Sequence, residues 1–371
     1  MLGLGIVSPI MPIYAESLGA TAVQIGLLSS AWSISRFVFT PPVGRLSEKR
    51  SKKKIIAGGL AAYMVVSILY TFAWDFTSLV SMRFLHGVGS AMAMPIAYAY
   101  AAGIMPEGEE GKYMGTMNLA LFAGMGTGPL IGGYLTDAFS LSAPFYAMGA
   151  MTALSLLLTL LFLPEERRRS AAERRRIPSF REVLSNKLLR AAFIYRVVGA
   201  LGRGSIISFL SIFISGSAEM GGLGLPVSMA GLIISVGQIS TAVLQRPFGD
   251  LADRYSKVHL ILLGGVVGAV GYAFLPNART VWELMIARLI ISAGGAIGMP
   301  ALTAIAAIEG REIGLGTTMS TLHTAMSMGM IAGPLLAGLI VDLIGLNIVF
   351  YISGLICLAG TAAFYLMQRL R

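Results

Sequence analysis

Arg36, Arg83, Arg196, Arg203 and Arg288 stand inside long apolar runs, and Arg246 lies near the end of another. A guanidinium stays charged and presents its donors in a fork that matches a carboxylate or phosphate, so a set of them could hold an anion. No Asp or Glu lies near the centre of these runs; Glu16, Asp137, Glu283 and Asp342 all fall near one set of ends. The interior they define is expected to be electropositive, with Arg83, Arg203 and Arg288 as anion ligands. The other reading of each arginine is pairing with helix carbonyls or polar neighbours. Coupling to protons needs a group that changes charge, which arginine does not. The candidates are His86, one helical turn from Arg83, and Glu16, three residues before Gly19. A packed, hydrogen-bonded imidazole competes with the first role and a solvated surface acid with the second.

Enzymatic chemistry finds no matching residues. There is no nucleophile–base pair and no metal-ligand spacing, so neither metal nor cofactor is expected. The single Cys357 gives neither a disulfide framework nor a zinc set. GMGTGP (Gly124 to Pro129) is glycine-rich but lies within an apolar run, unlike a phosphate-cradling loop.

The elements that must position these side chains follow from composition. Of 371 residues, 56% are hydrophobic and 12% charged, with a mean hydropathy of +0.76, against about a quarter charged in a soluble domain. Apolar stretches near the ~20 residues needed to cross a bilayer as a helix recur at roughly 1–17, 22–44, 53–74, 78–104, 112–138, 142–164, 189–216, 226–249, 258–277, 281–307, 315–342 and 346–368. They are almost continuously apolar rather than alternating, which predicts twelve helices and not barrel strands.

The formal net charge of +10 is one-sided. With the N-terminus inside, 21 Lys and Arg fall in cytoplasmic segments and Arg279 alone in the opposite loops. That asymmetry predicts a cell-membrane protein with both termini cytoplasmic and leaves little charge for a nucleic-acid partner. The expected partners are the lipid bilayer, a small-molecule substrate and protons as coupling ion, with the chain a monomer.

The chain also repeats itself. Gly44-x-Leu46 recurs as Gly249-x-Leu251, and the same offset of 205 pairs Pro42 with Pro247, Arg83 with Arg288, Pro95 with Pro300, Pro129 with Pro334 and Asp137 with Asp342, without a gap. Six spans separate the copies, so the halves have one orientation, as in transporters built from parallel repeats. The expected organisation is a six-helix bundle at 1–164, a basic linker at 165–188 whose IPSFREVLSNKLL could lie on the membrane surface as a helix, and a second bundle at 189–371. Carried backwards, the offset places the partner of Leu189 about 17 residues before Met1, so the first helix is expected to be N-terminally truncated.

Placed on these spans, three motifs resemble the major facilitator superfamily, over nearly the whole chain. The family pattern G-x-L-a-D-R-x-G-R-K/R reads GRLSEKRSKK from Gly44 between spans 2 and 3, and GDLADRYSKV from Gly249 between spans 8 and 9. The resemblance makes Gly44, Glu48, Lys52, Gly249, Asp253, Arg254 and Lys257 a cytoplasmic gate, closed in one transport conformation and broken in the other. Glu48 in place of Asp, and Ser51 and Ser256 in place of Gly, imply a looser latch in the first half. The second motif is Arg83 with FLHGVGSA in span 4, where the resemblance assigns the arginine to substrate or proton handling; a charge at that depth costs about 2.5–3.5 kcal/mol on insertion scales. The third is Gly115, Gly124, Gly128, Pro129, Gly132 and Gly133 in span 5, which fits G-x8-G-x3-G-P-x2-G-G, a pattern associated with proton-driven efflux antiporters. Span 11 echoes it at Gly329, Gly333, Pro334 and Gly338, so symmetric packing explains both copies equally well.

The resemblance implies an all-α membrane fold of twelve helices in two parallel six-helix repeats. It further implies alternating access around a midplane cavity lined by spans 1, 4, 7 and 10. The expected function is proton-coupled efflux of a small organic solute, the alternatives being uptake or exchange of an organic carboxylate or phosphate ester, or a non-transporting sensor. Met117, Met125, Met319, Met326 and Met330 on spans 5 and 11 suit a permissive apolar pocket or plain packing.

Overall fold

The computed structural model describes residues 1–104, 110–165, 179–313 and 315–369; at 45, 48, 49, 99, 102–104, 110–119, 253, 307, 311, 312, 315–317 and 320 it describes the backbone alone. The described residues form fourteen α-helices joined by short turns, with no strand among them. They are α1 (Leu2–Val7), α2 (Ile10–Ser17), α3 (Ala22–Lys49), α4 (Lys52–Leu69), α5 (Phe76–Ile104), α6 (Glu110–Ala138), α7 (Ala143–Phe162), α8 (Phe180–Ser185), α9 (Lys187–Ser215), α10 (Val227–Arg254), α11 (Lys257–Phe274), α12 (Val281–Ile313), α13 (Leu315–Leu343) and α14 (Leu346–Arg369). Among the described residues nine of these are long and apolar enough to cross a membrane. The 29-residue α5 and α6, and α1 with α2 broken at Ser8 and Pro9, complete the twelve expected spans.

Local sequence sets the ends. Thr21 and Gln24 form a reciprocal capping box at the start of α3, and the Asn186 side chain accepts from the N–H groups of Leu188 and Leu189 to start α9. The 205-residue repeat extends to detail, since α4 and α11 both end in 3-10 turns, at Tyr70–Phe72 and Leu275–Asn277.

Within the first half α3 packs on α5, α1 on α6, and α4 on α5 and α7; in the second, α10 packs on α12, α9 on α13 and α14, and α11 on α12 and α14. The halves meet through two long pairs, α6 with α10 and α3 with α13. Core side chains divide along the membrane normal. Toward the face opposite the basic loops one cluster runs through both halves and includes Tyr14, Tyr70, Phe145, Phe209, Phe213 and Phe350. Toward the basic face there are two separate clusters, one around Val183, Ile261, Ile305 and Phe364 in the second half and one around Ile55, Ile56, Ile96 and Tyr100 in the first. Among the described residues the core is therefore continuous at one face and divided at the other. Outward-facing leucines such as Leu157, Leu158 and Leu161 on α7 are exposed, as contact with lipid permits.

The described part of the linker, α8, is tied to the second half: Val183 is buried in its core, and Asn186 donates to Glu309 at 2.7 Å. Arg167 to Arg169 and Arg174 to Arg176 lie outside the described residues.

Candidate functional site

Along the membrane normal the arginines occupy two levels. Arg83 on α5 and Arg288 on α12 lie about 10 Å along their helices from the closed face, at 1.5 Å per residue. They are equivalent under the repeat, and each leaves donors without partners: Nε and Nη1 of Arg83, and Nε of Arg288. Arg83 is set among aromatic groups, with its charge beside the Tyr63 and Tyr70 hydroxyls. Arg288, 8% exposed, lies against the bare backbone of Gly237 on α10, where a Cβ would collide with the guanidinium. Ser292 holds the same place by donating to the Gly237 carbonyl at 2.9 Å.

Nearer the basic face, Arg36 on α3 stacks over Trp32 at 5.2 Å. Across the divide Arg196 on α9 donates to the sulfurs of Met299 (2.8 Å) and Met326 (3.4 Å). His323 on α13 lies within electrostatic reach of both arginines. Arg203 is exposed and lies within reach of Arg196, Tyr195 and Tyr272. Gln238, Thr241 and Gln245 share one face of α10, by their spacing of three and four.

His86 is completely buried. Its Nδ1 shares a 3.0 Å hydrogen bond with the Tyr70 hydroxyl, its ring meets Tyr63 edge-on at 4.2 Å, and Nε2 has no partner. Glu16 is not a merely solvated acid, because its Oε1 accepts from the backbone N–H of Ser217, in the other half, at 2.8 Å.

Glu16 is one of three carboxylates that tie the halves at the closed face. Asp137 at the end of α6 accepts from the N–H groups of Val227 (3.1 Å) and Ser228 (2.8 Å), the first turn of α10. Asp342 at the end of α13 accepts from Ala22 (3.0 Å) and Val23 (3.1 Å), the first turn of α3. Donors and acceptors in the two pairs are all related by the 205-residue offset. Each carboxylate thus caps and neutralises the positive end of a helix in the opposite half. One level deeper, Ser30 donates to the Ile331 carbonyl at 2.7 Å and Ser235 accepts from the Leu130 N–H at 3.0 Å, again a 205-related pair of serines. In the sequence Asp137 and Asp342 show only as acids near span ends, with no partner indicated, although the offset that pairs them also pairs Ala22 with Val227.

The span-5 glycines are packing residues. Methyl groups at Gly124, Gly128 and Gly132 would strike the backbone of α1, and one at Gly133 the backbone of α10 at Val227 and Ser228. In span 11, Gly329 and Gly333 face α9 and Gly338 faces α3 at Ala22 and Val23 in the same way. Pro129 and Pro334 direct their carbonyls at Gly231 and Gly26 of the opposite half. The Gly115 site lies outside the described side chains.

The described part of the gate motif lies at the basic ends of α3, α4, α10 and α11. Space is open around the Cβ positions of Gly44 and Gly249, Arg254 is exposed, and Lys257 begins α11. Lys52 starts α4, whose cap is Ser51. The side chains of Glu48 and Asp253 lie outside those described.

Comparison with known proteins agrees with this architecture. The family model described as Major Facilitator Superfamily matches residues 1–222 and 192–371. The MFS-type transporter MJ1560 of Methanocaldococcus jannaschii is 30% identical over 361 residues, covering 96% of this chain and 92% of its own. The quinolone resistance protein NorA of Staphylococcus aureus is 26% identical over 344 residues, covering 92% and 87%. Among solved structures, a bacterial homologue of the human lysosomal transporter Spinster, inward-facing and unoccupied, superposes with a TM-score of 0.85 at 14% identity, covering 99% of this chain and 94% of its own.

Proposed function

The chain belongs to the Major Facilitator Superfamily, and on that premise we propose that it is a secondary active transporter that exports a small organic solute by alternating access. The carrying observation is the division of the core. One apolar cluster and three carboxylate ties join the halves at the acidic face, while toward the basic face the cores are separate and the gate glycines stand in open space. With the basic loops in the cytoplasm, both termini are cytoplasmic and the cavity opens inward. Rocking the halves exchanges the outer ties for contacts at the two gate motifs.

Export coupled to protons is supported by the span-5 pattern and by likeness to a resistance protein. The cavity chemistry favours an anionic or amphipathic solute, because guanidinium donors of Arg83 and Arg288 lack acceptors and no span centre carries an acid. A thermal-shift screen of the purified protein over organic anions, sugars and lipophilic cations supplies a substrate. Uptake of that substrate into inside-out vesicles is expected to accelerate with an inward-acidic pH gradient. Movement of no solute in either direction would favour a sensor on this scaffold, and hits confined to lipophilic cations would remove the anionic reading.

A further inference from the structure

We propose that Arg36, Arg196 and His323 form a capture site, on the cytoplasmic side of the cavity, for the carboxylate or similar anionic head of an amphipathic solute, with Met299 and Met326 as its adjustable wall. The inference rests on the alternating-access reading above and adds a site distinct from the deeper Arg83 and Arg288 pair.

The partners of Arg196 are weak ones. Two of its donors end on thioether sulfurs and its Nε has no partner. A thioether is a weak acceptor, whereas a carboxylate accepts charge-assisted, often bidentate bonds from guanidinium. An anion reaching this point would draw Arg196 from sulfur. Among the described residues no carboxylate bonds Arg196, and every Asp and Glu lies toward a span end or in a loop.

The neighbours increase the need for an anion. Arg203 is close enough to Arg196, and Arg36 and Arg196 close enough to His323, to interact electrostatically. The two guanidinium charges of Arg196 and Arg203 in a partly buried space are costly until something of opposite sign joins them. Arg36 belongs to the first half and the other two residues to the second, so one anionic head would bridge the divide and favour its closing. The apolar body of the solute would meet the Trp32 ring under Arg36 and the two methionines, whose unbranched side chains adapt to different shapes.

The test uses Trp32 as reporter in the full chain, with the other two tryptophans replaced (Trp74→Phe, Trp282→Phe), and 4-bromobenzoate as the probe, since bromine quenches indole fluorescence. 4-Bromobenzyl alcohol and 4-bromobenzyltrimethylammonium are the neutral and cationic controls. Saturable quenching by the carboxylate is expected, with the controls at least tenfold weaker. Arg36→Gln and Arg196→Gln are each expected to raise its Kd about tenfold. Met299→Leu is expected to lower it about two- to fivefold, because the sulfur no longer competes for Arg196; a purely structural role for Met299 predicts the opposite sign. If Arg196→Gln does not stay monodisperse, Arg36→Gln and Met299→Leu decide the matter. Unchanged Kd in these variants, or no quenching by any probe, overturns the site. Loss of binding in Arg288→Gln with Arg36→Gln and Arg196→Gln unaffected overturns it while leaving the anionic cavity standing. Quenching by the cation alone overturns the anionic reading itself.

Discussion

In the first half Arg83 is surrounded by Tyr63, Tyr70 and His86; 205 positions on, Arg288 has Gly268, Leu275 and Ile291 at the corresponding places. The helix facing each arginine differs likewise, with Trp32 in α3 where α10 has Gly237. Yet Asp137 with Asp342, Pro129 with Pro334 and Gly133 with Gly338, which make the halves touch, keep both identity and contact, while Ser30 and Ser235 keep identity and reach the opposite half through different partners. The duplicated chain thus holds its interface fixed while the surroundings of its charges diverge. In the first half an aromatic and imidazole cage surrounds the arginine. In the second, sulfur and bare backbone leave the arginines Arg196 and Arg288 loosely engaged.

The comparison breaks most readily at the shared interface. Gly133→Val and Gly338→Val place side chains against backbone of the opposite half, at Val227 and Ser228 in α10 and at Ala22 and Val23 in α3. Each is expected to cost about 3 kcal/mol, read as loss of cooperative thermal unfolding in detergent. If one half tolerates the change and the other does not, the interface is not symmetric. A smaller effect separates the divergent regions. His86→Leu removes the imidazole partner of the Tyr70 hydroxyl in a buried site and is expected to cost about 1–3 kcal/mol, whereas Ile291→Leu at the equivalent position is expected to cost less than about 1.5 kcal/mol. Equal losses would deny the first half its special cage.

The smallest effect sharpens the comparison within the interface. Asp342 adds to a helix start already capped by Thr21 and Gln24, while Asp137 serves α10, whose N-cap is Pro226 and has no side-chain cap of its own. Asp137→Ala is therefore expected to cost about 1 kcal/mol and Asp342→Ala a few tenths, measured by denaturation of the same preparations. The reverse order would show that the local box on α3 does not substitute for the distant carboxylate.

Much of this fold is legible from periodicity and offset, because crossing a bilayer fixes helix length and duplication preserves scarce residues. Charge placement likewise locates the arginines within spans. What lies beyond that reading is contact. Nothing local in the sequence states that Arg196 reaches Met299, 103 positions away, or that Asp342 reaches Ala22, 320 positions away. His86 sits in an ordinary apolar run, and only the packing of α4 against α5 brings Tyr63 to its ring. Breaking the first span into α1 and α2 at Ser8 and Pro9 was similarly invisible to hydropathy, which averages over such a turn.

The uneven capping of α3 and α10 also suits the order in which the chain is made. Synthesis proceeds from the N-terminus, so Asp137 already exists when α10 emerges and can close that helix at once. For α3 the distant carboxylate arrives only with residue 342, after nearly the whole protein has been produced. The helix that must wait carries its own stopper in Thr21 and Gln24; the helix that never waits has none.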